Sequence, residues 1–148
     1  RMTMNILQLQ EKEKTVESIP LGTKAYFSKT ITEGDVALFA GITGDFAPLS
    51  INQEFAEQTP FGRRIVQNML IAALTWPVSS ELVSPGAVTI TQEGKFFRPV
   101  YVGDTITVVG EVTEKIFEKK IVIVKTTCYN QNDEVVMDGS AVELMRVR

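Results

Sequence analysis

Phe61-Gly-Arg-Arg-Ile-Val-Gln-Asn-Met-Leu-Ile-Ala-Ala-Leu-Thr-Trp76 is the stretch whose character decides the fold. Between Ile65 and Trp76 only Gln67, Asn68 and Thr75 are not apolar. Ile65, Met69, Ala72, Ala73 and Trp76 recur at helical spacing on one face, and Leu70, Ile71 and Leu74 make the other sides apolar as well. A helix apolar all round belongs inside a protein. This one is too short to span a membrane. Pro77 and the Ser79-Ser80 pair mark where the pattern weakens. The two amides sit near the helix start, where free backbone N–H groups and the positive end of the helix dipole favour an anion or a developing oxyanion. The spacing predicts one long central helix whose N-terminal end floors a small active site.

On the N-terminal side, Lys24 to Ile31 alternates as a strand, with Ala25, Phe27 and Lys29 on one side. Thr32 caps a helix that carries Glu33 and Asp35 in its first turn and Val36, Phe39, Ala40 and Thr43 at helical spacing. Gly44-Asp45 closes it, and Asn52 opens a short helix through Ala56. On the C-terminal side, after Ser84-Pro85-Gly86, the period changes from that of a helix to that of a strand. Val88 to Val100, Thr105 to Glu114, Ile121 to Tyr129 and Glu134 to Val147 read as strands, the last three joined by short turns into an antiparallel meander. Residues 1–18 are polar and charge-mixed and read as an N-terminal arm; residues 19–148 read as a single domain. A twisted antiparallel sheet curled around an apolar helix is an α+β solution that buries both.

The totals narrow the function. The chain has 148 residues, enough to bury a core without disulfides or metals. Its net charge of −3 gives no basic footprint, so nucleic acid is not an expected partner. With no signal-peptide pattern and no apolar span, a cytoplasmic protein without membrane contact is expected. The lone Cys128 lies in a strand-like run and reads as a small buried hydrophobe. There is no histidine, which excludes Ser-His-Asp triads, Cys-His pairs and histidine metal sites within these residues; no metal site is expected.

Three stretches carry candidate chemistry: the loop Gly44-Asp45-Phe46-Ala47-Pro48-Leu49-Ser50-Ile51-Asn52 with Phe55-Ala56 after it, the helix entry Ile65-Val66-Gln67-Asn68-Met69-Leu70, and Phe96-Phe97-Arg98-Pro99-Val100-Tyr101-Val102-Gly103-Asp104. Asp45 after Gly44 also suits an Asx-turn, and Ser50 also suits a helix cap. Lys95, Arg98, Arg63 and Arg64 are cations that phosphates would meet. In order and separation the three stretches resemble the MaoC-like dehydratases, a hotdog-fold group that includes (R)-specific enoyl-CoA hydratases. The family's loop reads Gly-Asp-x-Asn-Pro-x-His-x-Asp, its helix entry Ile-Val-His-Gly-Met-Leu, and its third motif Phe-x-x-Pro-Val-x-x-Gly-Asp. The last stands intact here, and the resemblance covers roughly residues 20–148.

The resemblance implies a hotdog fold, an antiparallel sheet wrapped around a long central helix, and a homodimer or higher homo-oligomer with the site at the interface. It implies hydration of the α,β double bond of an acyl thioester, or the reverse dehydration, with coenzyme A or an acyl-carrier protein as carrier and no further cofactor. Position by position, Asp45 keeps the acid/base role, Ser50 stands for the family histidine as a water-orienting group, and Asn68 stands where a backbone N–H polarises the thioester carbonyl. Pro48, Gln67, Met69 and Arg98 are the matching substrate-binding positions. Serine is no general base, and losing one typically slows a reaction by about 10²–10⁴-fold. Two other outcomes of the same frame are a non-catalytic acyl-CoA binding domain and a hotdog thioesterase.

Overall fold

The computed structural model describes residues 14–145. Most of the expected N-terminal arm and the end of the expected last strand lie outside them. Within the described part of the arm, Val16 is buried beside Ile19 in the hydrophobic core, so the packed domain begins before residue 19.

Strand β1 (Lys24–Thr30) turns Ala25 inward and leaves Tyr26 exposed. Thr32 caps helix α1 (Glu33–Thr43) in a reciprocal box. Its Oγ1 accepts the Asp35 N–H at 3.1 Å, and the Asp35 carboxylate accepts the Thr32 N–H at 2.9 Å. That backbone hydrogen bond, helped by Lys29, holds the Asp35 carboxyl below its ordinary value. Gly44 ends α1 at φ 80°, a left-handed geometry that glycine adopts without strain, and so aims the loop that follows. Two short helices come next, α2 (Pro48–Ile51) and α3 (Gln53–Glu57).

The stretch expected to form one long helix forms two, α4 (Asn68–Ala73) and α5 (Trp76–Val83), with Leu74 and Thr75 between them. Pro77 is the cause. It has no N–H for the carbonyl four residues earlier, which belongs to Ala73, the last residue of α4, and its ring crowds that carbonyl. Pro77 therefore opens the first turn of α5, where a missing N–H costs nothing. The second helix runs on through Ser79 and Ser80.

Four further strands follow: β2 (Val88–Phe96), β3 (Thr105–Ile116), β4 (Ile121–Tyr129) and β5 (Val135–Leu144). With β1 they form a five-stranded antiparallel sheet in the order β1-β3-β4-β5-β2. The β3-β4-β5 meander is the expected one; β1 and β2 close its two sides. The inward face carries Ile106, Val108 and Val112 on β3 and Val122 and Val124 on β4, all buried. Helix α5 lies across β1 and β3. It comes so close at Gly110 that a Cβ there would overlap the Val78 side chain and sit 3.4 Å from Leu82 Cδ1. This is the hotdog arrangement, with the central helix in two pieces.

The β2–β5 ladder contains a bulge: Thr89 pairs with Glu143, and Thr91 with Val142. At its middle, Gly94 faces Gly139. A Cβ on Gly139 would overlap the Glu93 carbonyl oxygen and come within 2.9 Å of Gly94 Cα. Because the obstacle is backbone, no side chain can yield. Gly139→Ala is expected to destabilise the fold by about 2–3 kcal/mol or more, read as a Tm drop of roughly 5–10 °C in a thermal melt. Cys128 is buried on β4, and that burial, with Asp138 adding to it, pushes its thiol up to about 12. A thiol reagent at mildly alkaline pH should leave the native protein unmodified and label Cys128 after guanidinium unfolding.

Candidate active site

The loop leaving α1 is held by short-range hydrogen bonds. Thr43 Oγ1 donates to the Phe39 carbonyl at 2.7 Å and accepts the Asp45 N–H at 3.2 Å. Asp45 Oδ1 accepts the Ala47 N–H at 3.1 Å, an Asx-turn. One carboxylate oxygen is thus occupied by the turn, and Oδ2 has no hydrogen-bond donor among the described residues. The turn and the chemical role expected of Asp45 are compatible.

Asp45 stands on the wall of a cleft of about 360 Å³. Phe39 and Thr43 of α1 form the same wall; Met69 and Ala72 of α4, Trp76 of α5 and Gln92 of β2 form the others. The lining is mainly hydrocarbon with one acid at its edge. The shape suits an acyl chain lying on Met69, Ala72 and Trp76, with its reactive end near the carboxylate. Met69 and Trp76 are 63% and 48% exposed, so the stretch read as buried all round keeps one apolar side open here.

Of the residues singled out in the sequence, the cleft brings Asp45 and Met69 together. Ser50 lies within α2 rather than capping the next helix, a role Asn52 takes through its side-chain bond to the Phe55 N–H at 3.0 Å. Ser50 is buried and is not on the cleft wall. Pro48 is exposed and opens α2. Asn68 is exposed and is the first residue of α4. Gln67 is buried and turned away from the cleft: its Nε2 donates to the Val36 carbonyl at 3.0 Å, tying the start of α4 to α1, while Oε1 has no partner among the described residues.

The candidate phosphate-binding cations are spread out. Arg98 pairs with Glu134 at 2.9 Å, and Arg64 is held by Glu33 and Gln53. Arg63 stacks its guanidinium 3.5 Å from the Tyr101 ring centre. Lys95 lies in a groove of about 520 Å³ on the face of the sheet away from the helices, beside Lys125, Glu93 and Asp138. Two acids offset two bases there, so that groove carries no net positive field.

The sequence reading missed Thr75 and Gln92. Thr75 Oγ1 donates to the Ala72 carbonyl at 2.6 Å and accepts from Gln92 Nε2 at 3.4 Å, which ties the helix break to β2. A polar residue at the end of an otherwise apolar helical run was the available signal. It also missed Glu143, which stands between inward Ala141 on β5 and Met145 just past its end, and is 2% exposed. Burial raises its carboxyl above the ordinary value, against a lowering hydrogen bond from Thr89.

The family model described as MaoC like domain matches residues 15–134. The chain is 39% identical over 133 residues to the (R)-specific enoyl-CoA hydratase of Rhodospirillum rubrum, covering 89% of this chain and 92% of that protein. It is 40% identical over 127 residues to the 3-hydroxybutyryl-CoA dehydratase of Methylorubrum extorquens, covering 85% and 80%. The fold superposes on the (R)-hydratase from A. caviae involved in PHA biosynthesis with a TM-score of 0.81 at 34% identity, covering 87% of this chain and 98% of that one.

The Gln67 geometry gives two separable outcomes. Gln67→Ala removes the side-chain bond to the Val36 carbonyl, which α1 itself also engages, and is expected to cost about 0.5–1.5 kcal/mol. A lowered Tm with KM little changed fits the tether. A raised KM with Tm unchanged would instead place Gln67 against the substrate.

Proposed function

This chain belongs to the MaoC-like domain family, and from that premise we propose that it hydrates the α,β double bond of an enoyl thioester, or dehydrates the corresponding 3-hydroxyacyl thioester. The observation that carries the reading is Asp45: an acid whose second oxygen has no donor among the described residues, on the wall of a hydrocarbon cleft. It stands in the loop that resembles the family's catalytic one.

In hydration, water gives its hydroxyl to Cβ and a proton ends on Cα. Asp45 takes the proton from the attacking water and returns one to Cα. Charge that gathers on the thioester oxygen meets the N–H of Asn68 in the first turn of α4, where backbone donors have no carbonyl partner within the helix. Ser50, expected to orient the water, lies buried in α2 off the cleft wall and is assigned no step. Pro48 shapes the loop, Met69 bears on the acyl chain, and Arg98 meets the carrier. The carrier is coenzyme A or an acyl-carrier protein, with no further cofactor, in a cytoplasmic enzyme. No helix among the described residues is long and apolar enough to cross a membrane.

The reading includes a homodimer. On the outer side of β2 the backbone has no strand partner in the sheet, and Val88 and Ile90 are half exposed near the open side of Trp76. A second chain pairing along β2 would cover this edge, which otherwise invites uncontrolled association.

The absence of histidine favours one other reading, an acyl thioester-binding domain without turnover. A continuous assay with crotonyl-CoA separates the two, following the conjugated-enoyl absorbance with a thiol reagent in a parallel cuvette. The expected result is loss of absorbance without thiol release, falling by about 10²–10⁴-fold in Asp45→Asn. Full activity in Asp45→Asn would sink the assignment. Thermal stabilisation by crotonyl-CoA with no change in either channel would favour the binding domain, and thiol release a thioesterase.

A further inference from the structure

Beyond Trp76 a second space lies between α5 and the sheet. A second cavity of about 310 Å³ is bounded by Trp76, Ser79 and Val83 of α5, by Thr89 of β2 and by Glu143 of β5. Trp76 belongs to both cavities, and so does β2, through Gln92 in the first and Thr89 in the second. Thr89 and Gln92 stand three strand residues, about 10 Å, apart, so the two cavities are neighbours along β2 that meet at Trp76.

The bulge puts both cavities on one face of β2. Side chains three apart on a regular strand point to opposite faces. The extra residue between Thr89 and Thr91 resets the phase, so Thr89 and Gln92 both face the helices.

The two cavities differ in chemistry. The first is hydrocarbon except for its edge. The second holds two buried polar groups with incomplete partners. Glu143 is 2% exposed, and both its oxygens lie 2.8 Å from Thr89 Oγ1, which has a single proton to give. Among the described residues, no lysine or arginine forms an ion pair with it. Ser79 is 4% exposed, and its hydroxyl has no hydrogen-bond partner among the described residues. Buried polar groups are nearly always satisfied, and exceptions call for a cause. A core that needed only packing would carry valine or leucine at position 143, because a buried carboxyl without a cation costs stability.

Resting on the acyl-thioester reading above, we propose that the acyl chain runs past Trp76 into this second cavity and carries a hydroxyl at its far end, held between Glu143 and Ser79. A hydroxyl is the group that completes both: it donates its proton to Glu143 and accepts one from Ser79 Oγ. An ammonium would donate to Glu143 and to Ser79 Oγ but leave the Ser79 proton without an acceptor, and a methyl end would leave both groups unpartnered. Recognition by burial is strongly discriminating, because a chain lacking the hydroxyl strands the groups built to meet it. The raised carboxyl of Glu143 agrees with a site that exchanges neutral hydrogen bonds.

The test uses the full-length protein with hexenoyl-CoA, octenoyl-CoA and decenoyl-CoA, each as the plain thioester, the terminal alcohol and the terminal amine. At the length that reaches the cavity, the alcohol should exceed the plain chain in kcat/KM by about tenfold or more. Glu143→Val should reverse that ratio while raising Tm, a pairing that a purely structural carboxyl would not produce. Ser79→Ala should lower the same ratio. Preference for the plain chain or the amine at every length overturns the inference and leaves hydration standing, as does a ratio indifferent to Glu143→Val. If no thioester is hydrated, the catalytic reading fails. The Kd values of the same probes by calorimetry then decide the cavity by the same tenfold criterion.

Discussion

The contact between α5 and β3 at Gly110 is the constraint on which the rest of the molecule depends. A sheet curved around a helix buries its inner face only if the helix axis can approach the strands. Here Val78 fills the space that a side chain at position 110 would take. With α5 seated, Trp76 is fixed at its N-terminal end, and α4 is directed toward α1. The cleft that holds Asp45 is what remains between these helices and β2. Its dimensions follow from packing some distance from the carboxylate, so core residues act on the site without touching it.

Local signals were legible in the sequence because they act locally. The Thr32–Asp35 capping box, the glycine that ends α1 and the boundaries of β4 follow from residues within one turn of where they act. The β3-β4-β5 meander was legible for the same reason, since its turns are short. The helix break was not. Pro77 marks a boundary in the sequence, yet its effect falls upstream, at the Ala73 carbonyl, so a residue that looked like a stop is a restart. The pairing of β2 with β5 joins segments about fifty residues apart, and no spacing rule reaches that far.

The candidate site was legible in part. Asp45 announced itself through its loop, and Met69 through its place at the helix start. Gln67 looked equally exposed to substrate, yet its side chain meets Val36 because α1 happens to pass there. Glu143 was invisible for the opposite reason: an acid near the end of a strand reads as a surface residue until the register places it inward. Polar residues drawn into a core by tertiary geometry are the class that pattern reading handles worst.

The bulge in β2 has a consequence for how such a groove diversifies. It divides the strand into two segments of opposite phase, one lining the end with the acid and one lining the far end. Deleting the bulged Ile90 would leave Thr89 two residues before Gln92, still opposite Glu143 and still facing the helices, so the extra residue can be lost without changing which side chains line either length. What lines the far length changes by substitution at position 89 itself, while Gln92 and the residues after it keep their place.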